Sequence, residues 1–155
     1  MLAGQDGIIL GGMELRPAAE ADVGLYFYIA QDPEVRAQSF TADVPSWESH
    51  VRWYERERAS GLFYVAEQNG EPVGVIRFQR VDQPIVSLAV VPAWRGHGLG
   101  LDILRDGTKL CAHAWGQPIW AEIKAANVAS QHIFQQAGYE LMVFDERAAV
   151  YRWNS

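Results

Sequence analysis

The sequence has a single cysteine, Cys111, among its 155 residues, which excludes an intrachain disulfide framework. A chain without disulfides fits a reducing compartment, so we expect a cytoplasmic protein. No apolar run reaches the roughly 18–20 residues that a membrane-spanning helix needs, which predicts no membrane partner. The start of the chain also lacks the basic segment of a secretory signal. We expect residues 1–12, which are rich in glycine, to form a flexible leader.

Positive charge is also scarce in this chain. It has 13 lysine and arginine residues against 19 aspartate and glutamate residues, a formal net charge of −6. Such a protein repels the phosphate backbone of nucleic acids, so we expect no nucleic-acid partner. The four histidines, at positions 50, 97, 113 and 132, and Cys111 lack the spacing of metal ligands. The sequence therefore predicts no metal site.

Hydrophobic residues make up 49% of the chain, enough to bury the core of one domain. No linker or repeat divides residues 13–155, so we expect a single domain there. The apolar patterns and turn residues predict a mixed α/β fold with helices on both faces of the sheet. The predicted strands are 13–16, 62–68, 72–81, 85–91, 119–125, 139–145 and 149–153. The predicted helices are 22–31, a segment capped by Ser46 that runs to residue 59, 102–114 and 128–137.

A glycine-rich turn, PAWRGHGLG at residues 92–100, joins a predicted strand to a predicted helix. Free N–H groups at a helix N-terminus, the helix dipole and the missing Cβ atoms of glycine favour a bound anion such as a diphosphate. The dinucleotide pattern G-x-G-x-x-G would need glycine at position 101, which is Leu101. The lysine of a phosphate-binding Walker loop is absent. The pattern that remains is R-x-x-G-x-G, formed by Arg95, Gly98 and Gly100, with a plain tight turn as the alternative.

Further along the chain comes NVASQHIFQQAGY, which contains Asn127, Ser130 and Phe134. This segment and the glycine turn together resemble the GCN5-related N-acetyltransferase (GNAT) superfamily, and the resemblance covers nearly the whole chain from Met13. It implies a GNAT fold with a splay between the fourth and fifth strands. It also implies that acetyl-CoA binds as co-substrate in the gap between them, without a metal ion.

The resemblance implies a set of contacts to acetyl-CoA. Backbone groups of Val90 and Val91 would pair with the pantetheine arm, and the amide of Val90 or Ala89 would hold the thioester oxygen. Asn127 would reach the pantetheine arm, with Ser130 and Phe134 nearby. The diphosphate would lie on the glycine turn, which consists of Arg95, Gly96, His97, Gly98, Leu99 and Gly100.

The resemblance also implies that an amine attacks the acetyl thioester directly, which requires a proton acceptor. Many superfamily members carry a tyrosine as general acid in the last helix. Here Phe134 stands at that position and has no hydroxyl. Glu122 lies in a strand expected at the covered centre of the sheet, where a carboxylate is costly unless it is paired or has a task. Glu122 is therefore one candidate base and His50 the other, while an ion pair between Glu122 and Lys124 is the structural alternative.

The front half of the chain resembles a sub-branch of the superfamily that acetylates the 4-amino group of nucleotide-linked amino sugars, as in the pseudaminic acid pathway. That branch shows the stretch W-R-N-D-P-x-V-R-x-x-S-F and then a helix with E-x-H-x-x-W-F or E-x-H-x-x-W-Y. The matching residues here are Asp32, Pro33, Val35, Arg36, Ser39, Phe40, His50, Trp53 and Tyr54. Residues 28–31 depart from the pattern, and Ser49 stands where an acid is common.

These matches imply an acceptor site with several alternatives. Arg36 would bind a substrate phosphate or else satisfy the end of a helix. His50 would contact the substrate or lie buried as a structural residue, and Trp47 and Trp53 would line the cleft. The expected acceptor is a small amine, as part of a nucleotide sugar. The other possibilities are a peptide or protein N-terminus or another small amine, or a coenzyme A binding module without activity. A homodimer is compatible with the sequence.

Overall fold

The computed structural model describes residues 12–41 and 43–154. The seven strands within these residues are β1 (Met13–Pro17), β2 (Leu62–Gln68), β3 (Glu71–Arg80), β4 (Pro84–Val90), β5 (Ile119–Lys124), β6 (Glu140–Phe144) and β7 (Ala148–Trp153). The five α-helices are α1 (Val23–Gln31), α2 (Pro33–Ala37), α3 (Trp47–Ser60), α4 (Leu99–Trp115) and α5 (Val128–Gln136). Apart from Gly12, the predicted leader lies outside the described residues.

The strands form one sheet in the order β1-β2-β3-β4-β5-β7-β6. Every neighbouring pair is antiparallel except β4 and β5, which run parallel and pair only at Ile85 and Trp120. Beyond this pair the two strands separate toward their carboxyl ends. The predicted mixed α/β fold with a splay between the fourth and fifth strands is confirmed.

Side chains alternate between the two faces of the sheet, so each face carries its own core. On one face, residues such as Ile76 and Tyr151 pack with Ile103 and Leu104 of α4. On the other face, a second cluster joins strand residues to α1 and α3; its buried members are Ala18, Tyr26, Ile29, Tyr54, Phe63, Val65 and Val75. Each fully buried aliphatic side chain contributes about 1.5–3 kcal/mol, so the two clusters fix both helix layers against the sheet.

Two local features differ from the sequence-based prediction. Helix α4 begins at Leu99 instead of residue 102, because Gly98 adopts a φ of 75° and forms the N-cap inside the glycine turn. Helix α2 was not predicted. Its N-cap is Asp32, whose side chain accepts hydrogen bonds from the amides of Glu34 and Val35, and Pro33 occupies the first helical position.

Two features are absent from residues 12–41 and 43–154. No helix there has the length and apolar character needed to cross a membrane. No three of the histidine, cysteine, aspartate and glutamate side chains in these segments converge into a group that could hold a metal ion.

Candidate functional site

A cleft of about 600 Å³ opens where β4 and β5 separate. Its walls come from the two strands, from α2 with the loop that follows, and from α3 and α5. The predicted site residues that line it are Arg36, His50, Trp53, Ala89, Val90, Arg95, Glu122, Asn127, Ser130 and Phe134. The structure thus brings both candidate bases and the two segments that resemble the amino-sugar branch to the strand gap.

Trp47 does not line this cleft, which corrects its predicted place in the acceptor site. It lies in the first turn of α3 and is 44% exposed. Its ring makes an edge contact with the ring of Phe27 on α1, with centroids 5.0 Å apart. Trp47 therefore packs α3 against α1.

The backbone of β4 offers alternate N–H groups to its two neighbours. The amide of Val91 donates to the carbonyl oxygen of Val73 at 2.8 Å, and Ala89 pairs in register with Val75 of β3. By alternation, the N–H groups of Leu88 and Val90 point the other way, into the gap beside β5. Of the predicted backbone contacts, only Val90 faces the gap. Ala89 and Val91 face β3, and Leu88, two residues before Val90, is a further gap-facing amide that the sequence analysis missed.

The glycine turn exposes backbone N–H groups at the start of α4. Gly96 and Gly98 have φ values of 83° and 75°, which favour glycine. The first amides of the helix, from Leu99 onward, have no intrahelical partner, and no side chain caps this end. Gly100 is buried, and a Cβ there would meet Cδ1 of Ile133 at 3.3 Å. These features fit a bound diphosphate.

The side chains of Arg95 and His97 in the turn form contacts within the protein. The Nη2 atom of Arg95 donates to Oδ2 of Asp32 at 2.7 Å, and its Nε lies 3.6 Å from Oε2 of Glu34. The hydrogen bond from Arg95 holds the pKa of Asp32 below its usual range. The Nδ1 atom of His97 lies 3.0 Å from the carbonyl oxygen of Trp94, so this nitrogen carries the proton. The backbone of the turn, more than these side chains, is therefore available to an anion.

Glu122 lies on β5 and faces the cleft, where it is exposed. The expected covered position is wrong, because the separation of β4 and β5 opens this face to solvent. The predicted ion pair with Lys124 is absent from the described residues, since the Nζ of Lys124 donates to the carbonyl oxygen of Ala37 at 2.9 Å. Glu122 is thus an exposed carboxylate at the strand gap that forms no ion pair within the described chain.

His50 is 3% exposed, and its Nε2 lies 3.1 Å from the carbonyl oxygen of Val23. A carbonyl oxygen only accepts, so Nε2 carries the proton. Burial holds the pKa of His50 below its usual range, which favours the neutral ring. The side chain is surrounded by the aromatic rings of Phe27, Trp47, Trp53 and Tyr54. This geometry favours the structural alternative for His50.

Arg36 holds the loop after α2. Its Nη1 donates to the carbonyl oxygens of Thr41 and Asp43 at 3.3 and 2.9 Å, while its buried Nε has no partner in the described chain. A third arginine that lines the cleft, Arg77 of β3, was missed by the sequence analysis. The sequence signal that could have found it is a charged residue inside a strand, since the residues on either side of Arg77 are apolar and buried.

Helix α5 closes the cleft at the far side of β5. The Oδ1 atom of Asn127 accepts a hydrogen bond from the amide of Ser130 at 3.1 Å, so Asn127 is the N-cap of this helix. Phe134 is buried, and its ring packs edge-on against Tyr139 with centroids 5.0 Å apart. Asn127 and Phe134 thus have structural partners as well as a face toward the cleft.

Comparison with known protein families and sequences gives two matches. Residues 13–140 match the family described as acetyltransferase (GNAT) domain. Over 110 residues the chain is 26% identical to the "Putative ribosomal protein bS18-alanine N-acetyltransferase" of Bacillus subtilis (strain 168). That match covers 69% of this chain and 71% of the relative.

Solved structures show the same fold. A domain from Methanocaldococcus jannaschii DSM 2661 superposes with a TM-score of 0.81 at 16% identity, covering 93% of this chain and 99% of that one. The spermidine N-acetyltransferase of Vibrio cholerae, in complex with CoA and spermine, superposes with a TM-score of 0.77 at 12% identity, covering 90% and 92%. At these identities the likeness is one of fold.

The glycine turn gives the first testable prediction. We expect Gly98→Val to weaken acetyl-CoA binding at least about tenfold, or about 1.4 kcal/mol, because a side chain at this φ strains the turn and crowds its amides. Gly116→Val is the matched control: Gly116 also has a positive φ, 59°, and caps the opposite end of α4. Calorimetric titration should show near-native affinity for the control. A folded Gly98→Val protein with unchanged affinity would contradict the assignment.

Proposed function

The chain belongs to the acetyltransferase (GNAT) domain family and is an acetyl-CoA-dependent N-acetyltransferase, and we propose that its acceptor is the 4-amino group of a nucleotide-linked amino-deoxysugar. One observation carries this proposal. The two segments that resemble the amino-sugar branch lie far from the glycine turn in sequence, yet both fold against the cleft at the strand gap. Their residues that line it are Val35, Arg36, Ser39, Phe40, His50 and Trp53.

We assign acetyl-CoA to the gap between β4 and β5. The gap-facing backbone groups of Leu88 and Val90 would pair with the pantetheine arm, because the separation of β4 and β5 leaves them without a strand neighbour. The amides at the start of α4 would hold the diphosphate, and Asn127 would contact the arm through its side-chain amide nitrogen, since its Oδ1 accepts the hydrogen bond from Ser130. The amide of Val90 is our candidate donor to the thioester oxygen, where negative charge develops during attack.

Acetyl-CoA supplies the activated acetyl group when bound. The amine nitrogen forms a bond to the acetyl carbon, the carbon–sulfur bond breaks, and coenzyme A leaves as a thiolate that takes a proton from solvent. The proton lost by the amine passes to Glu122, directly or through water, because this carboxylate faces the cleft and has no ion-pair partner in the described chain. A thiol has a pKa near 8.5, so its departure needs no acid at the Phe134 position.

A second candidate acceptor is the N-terminal amine of a protein. It is favoured by the Bacillus subtilis relative, which is named as an alanine N-acetyltransferase of a ribosomal protein. The third alternative, a coenzyme A module without activity, has no support, since the family and this relative are acetyltransferases. The two enzymatic alternatives differ in the group that must enter the cleft beside the amine: a nucleotide diphosphate or a peptide chain.

An acceptor panel tests the proposed substrate. With acetyl-CoA saturating, a UDP-linked 4-amino-4,6-dideoxysugar should give a kcat/KM at least about tenfold above that of spermidine, an aminoglycoside or an alanine-initiated peptide; this difference corresponds to about 1.4 kcal/mol of transition-state binding. The release of coenzyme A measures the rate, and the same assay serves every acceptor. Preferential turnover of the peptide would move the assignment to protein N-termini.

A pH–rate profile tests the base. Glu122→Gln should lower kcat at neutral pH about 100-fold with acetyl-CoA affinity preserved, because the amine loses its proton acceptor. Part of the loss should return at high pH, where more of the amine is already unprotonated. Glu140→Gln, an exposed carboxylate on the edge strand β6, is the control and should keep its activity. Near-native kcat in Glu122→Gln would rule out this role, and an equal loss in a folded His50→Asn protein alone would transfer it to His50.

A further inference from the structure

Arg77 is a half-buried cation in the middle of β3. Its neighbours Val75, Ile76 and Phe78 are buried, and its guanidinium lies 5.1 Å from the centroid of the Trp53 ring. Its Nε donates to Oε1 of Gln79 at 2.8 Å, and this is its only side-chain hydrogen bond within the described residues. Gln79 in turn donates to Glu57, so Arg77 reaches a carboxylate only indirectly. A cation that is partly withdrawn from water is costly unless a partner compensates its charge.

Arg36 is the second cation at this end of the cleft. Its Nη1 is bonded to two backbone carbonyls, which carry no net charge, and its buried Nε has no partner in the part of the chain described. The two arginines also act on each other. Burial holds the pKa of Arg77 below its usual range, and the charge of Arg36 lowers it further. A group that neutralises both charges would relieve this repulsion.

The acidic residues around the cleft do not supply that group. The lining carboxylates are Glu34, Asp43 and Glu122. Glu34 lies near Arg95, and none of the three is within 4.0 Å of a guanidinium nitrogen of Arg36 or Arg77 in the described structure. His50 is uncharged and hydrogen-bonded to Val23. The cleft lining thus carries three arginines and three carboxylates, but only Arg95 is close to a lining carboxylate, and Arg36 and Arg77 have no ion-pair partner in the described structure.

We infer that Arg36 and Arg77 form a phosphoryl-binding subsite of the acceptor cleft. Guanidinium groups bind phosphoryl oxygens through paired N–H donors, and two of them suit a diphosphate. The identification of this group as the diphosphate of a nucleotide sugar rests on the proposed function. Arg77 is then a specificity-determining residue, because it distinguishes acceptors that carry a phosphoryl group from those that do not.

The position of Arg77 along the sheet fits such a substrate. Arg77 lies opposite Ser87 in the register of β3 and β4. Ser87 precedes Val90, the candidate donor to the thioester oxygen, by three residues, which is about 10 Å along a strand. A pyranose ring and the length of an arginine side chain together bridge such a separation. The amine would thus lie near Val90 while the phosphoryl group contacts Arg77.

Calorimetric titration of the complex with coenzyme A tests the subsite directly, because saturating coenzyme A fills the other phosphate site. The probes are UDP, inorganic pyrophosphate and malonate, which separate a nucleotide diphosphate, a bare diphosphate and a dicarboxylate. UDP and pyrophosphate should bind the wild-type complex. Arg77→Gln should weaken both at least about tenfold, and Arg77→Lys, which keeps the charge, should retain part of the affinity.

Arg80→Gln is the matched control. Arg80 lies on the same strand, is exposed and stacks on the Trp115 ring at 4.2 Å, so its loss should leave probe binding unchanged. Coenzyme A affinity reports folding in every variant. If Arg77→Gln fails to fold, Arg36→Gln and Arg77→Lys carry the test. The subsite is overturned if neither phosphoryl probe binds, if all variants bind them equally, or if malonate binds more tightly than UDP.

Turnover in the same variants separates the subsite from the proposed function. A nucleotide sugar acetylated with wild-type KM by Arg77→Gln would overturn the subsite and leave the proposed acceptor intact. Pyrophosphate binding that depends on Arg77, in an enzyme that does not acetylate nucleotide sugars, would support the subsite and remove the proposed acceptor. If both the subsite and the proposed acceptor are correct, Arg77→Gln raises the KM of the nucleotide sugar at least tenfold and leaves the KM of acetyl-CoA unchanged.

Discussion

The pairing of β4 and β5 at one position, Ile85 with Trp120, is the constraint on which the site depends. A continuous parallel ladder would satisfy the N–H groups of Leu88 and Val90 and would leave no cleft. Their separation leaves these backbone groups without a strand partner, facing a cleft that is open to water. A ligand with its own amide groups, as the pantetheine arm has, can complete the ladder by replacing that water.

Helix α2 keeps the acceptor side of the gap in place although it has only five residues. Its N-terminal end is bound by Arg95, which reaches from the glycine turn to Asp32. Its C-terminal end is bound by Lys124, which reaches from β5 to the carbonyl oxygen of Ala37. Both ties originate beside the strand gap, so the wall of the acceptor site is fixed by the same elements that form the acetyl-CoA site.

Much of this arrangement can be predicted from the sequence, and the predictions that were missing or wrong have identifiable physical causes. The glycine turn and the order of elements predict the fold, because glycine and apolar periodicity are local signals. Helix α2 was missed because it is short, although Asp32 and Pro33 are ordinary helix-start residues. The availability of Val90 instead of Ala89 or Val91 depends on the register with β3, which is not a local property. The exposure of Glu122 likewise depends on how far β4 and β5 separate.

Amide hydrogen exchange of β4, followed residue by residue by NMR with and without acetyl-CoA, tests the central claim most directly. The account predicts that Leu88 and Val90 exchange rapidly in the free protein and become protected when acetyl-CoA binds. Ala89 and Val91 should be protected in both states, since their amides face β3. Protection of Val90 in the free protein, or no change at Leu88 and Val90 on saturation with acetyl-CoA, would contradict the account.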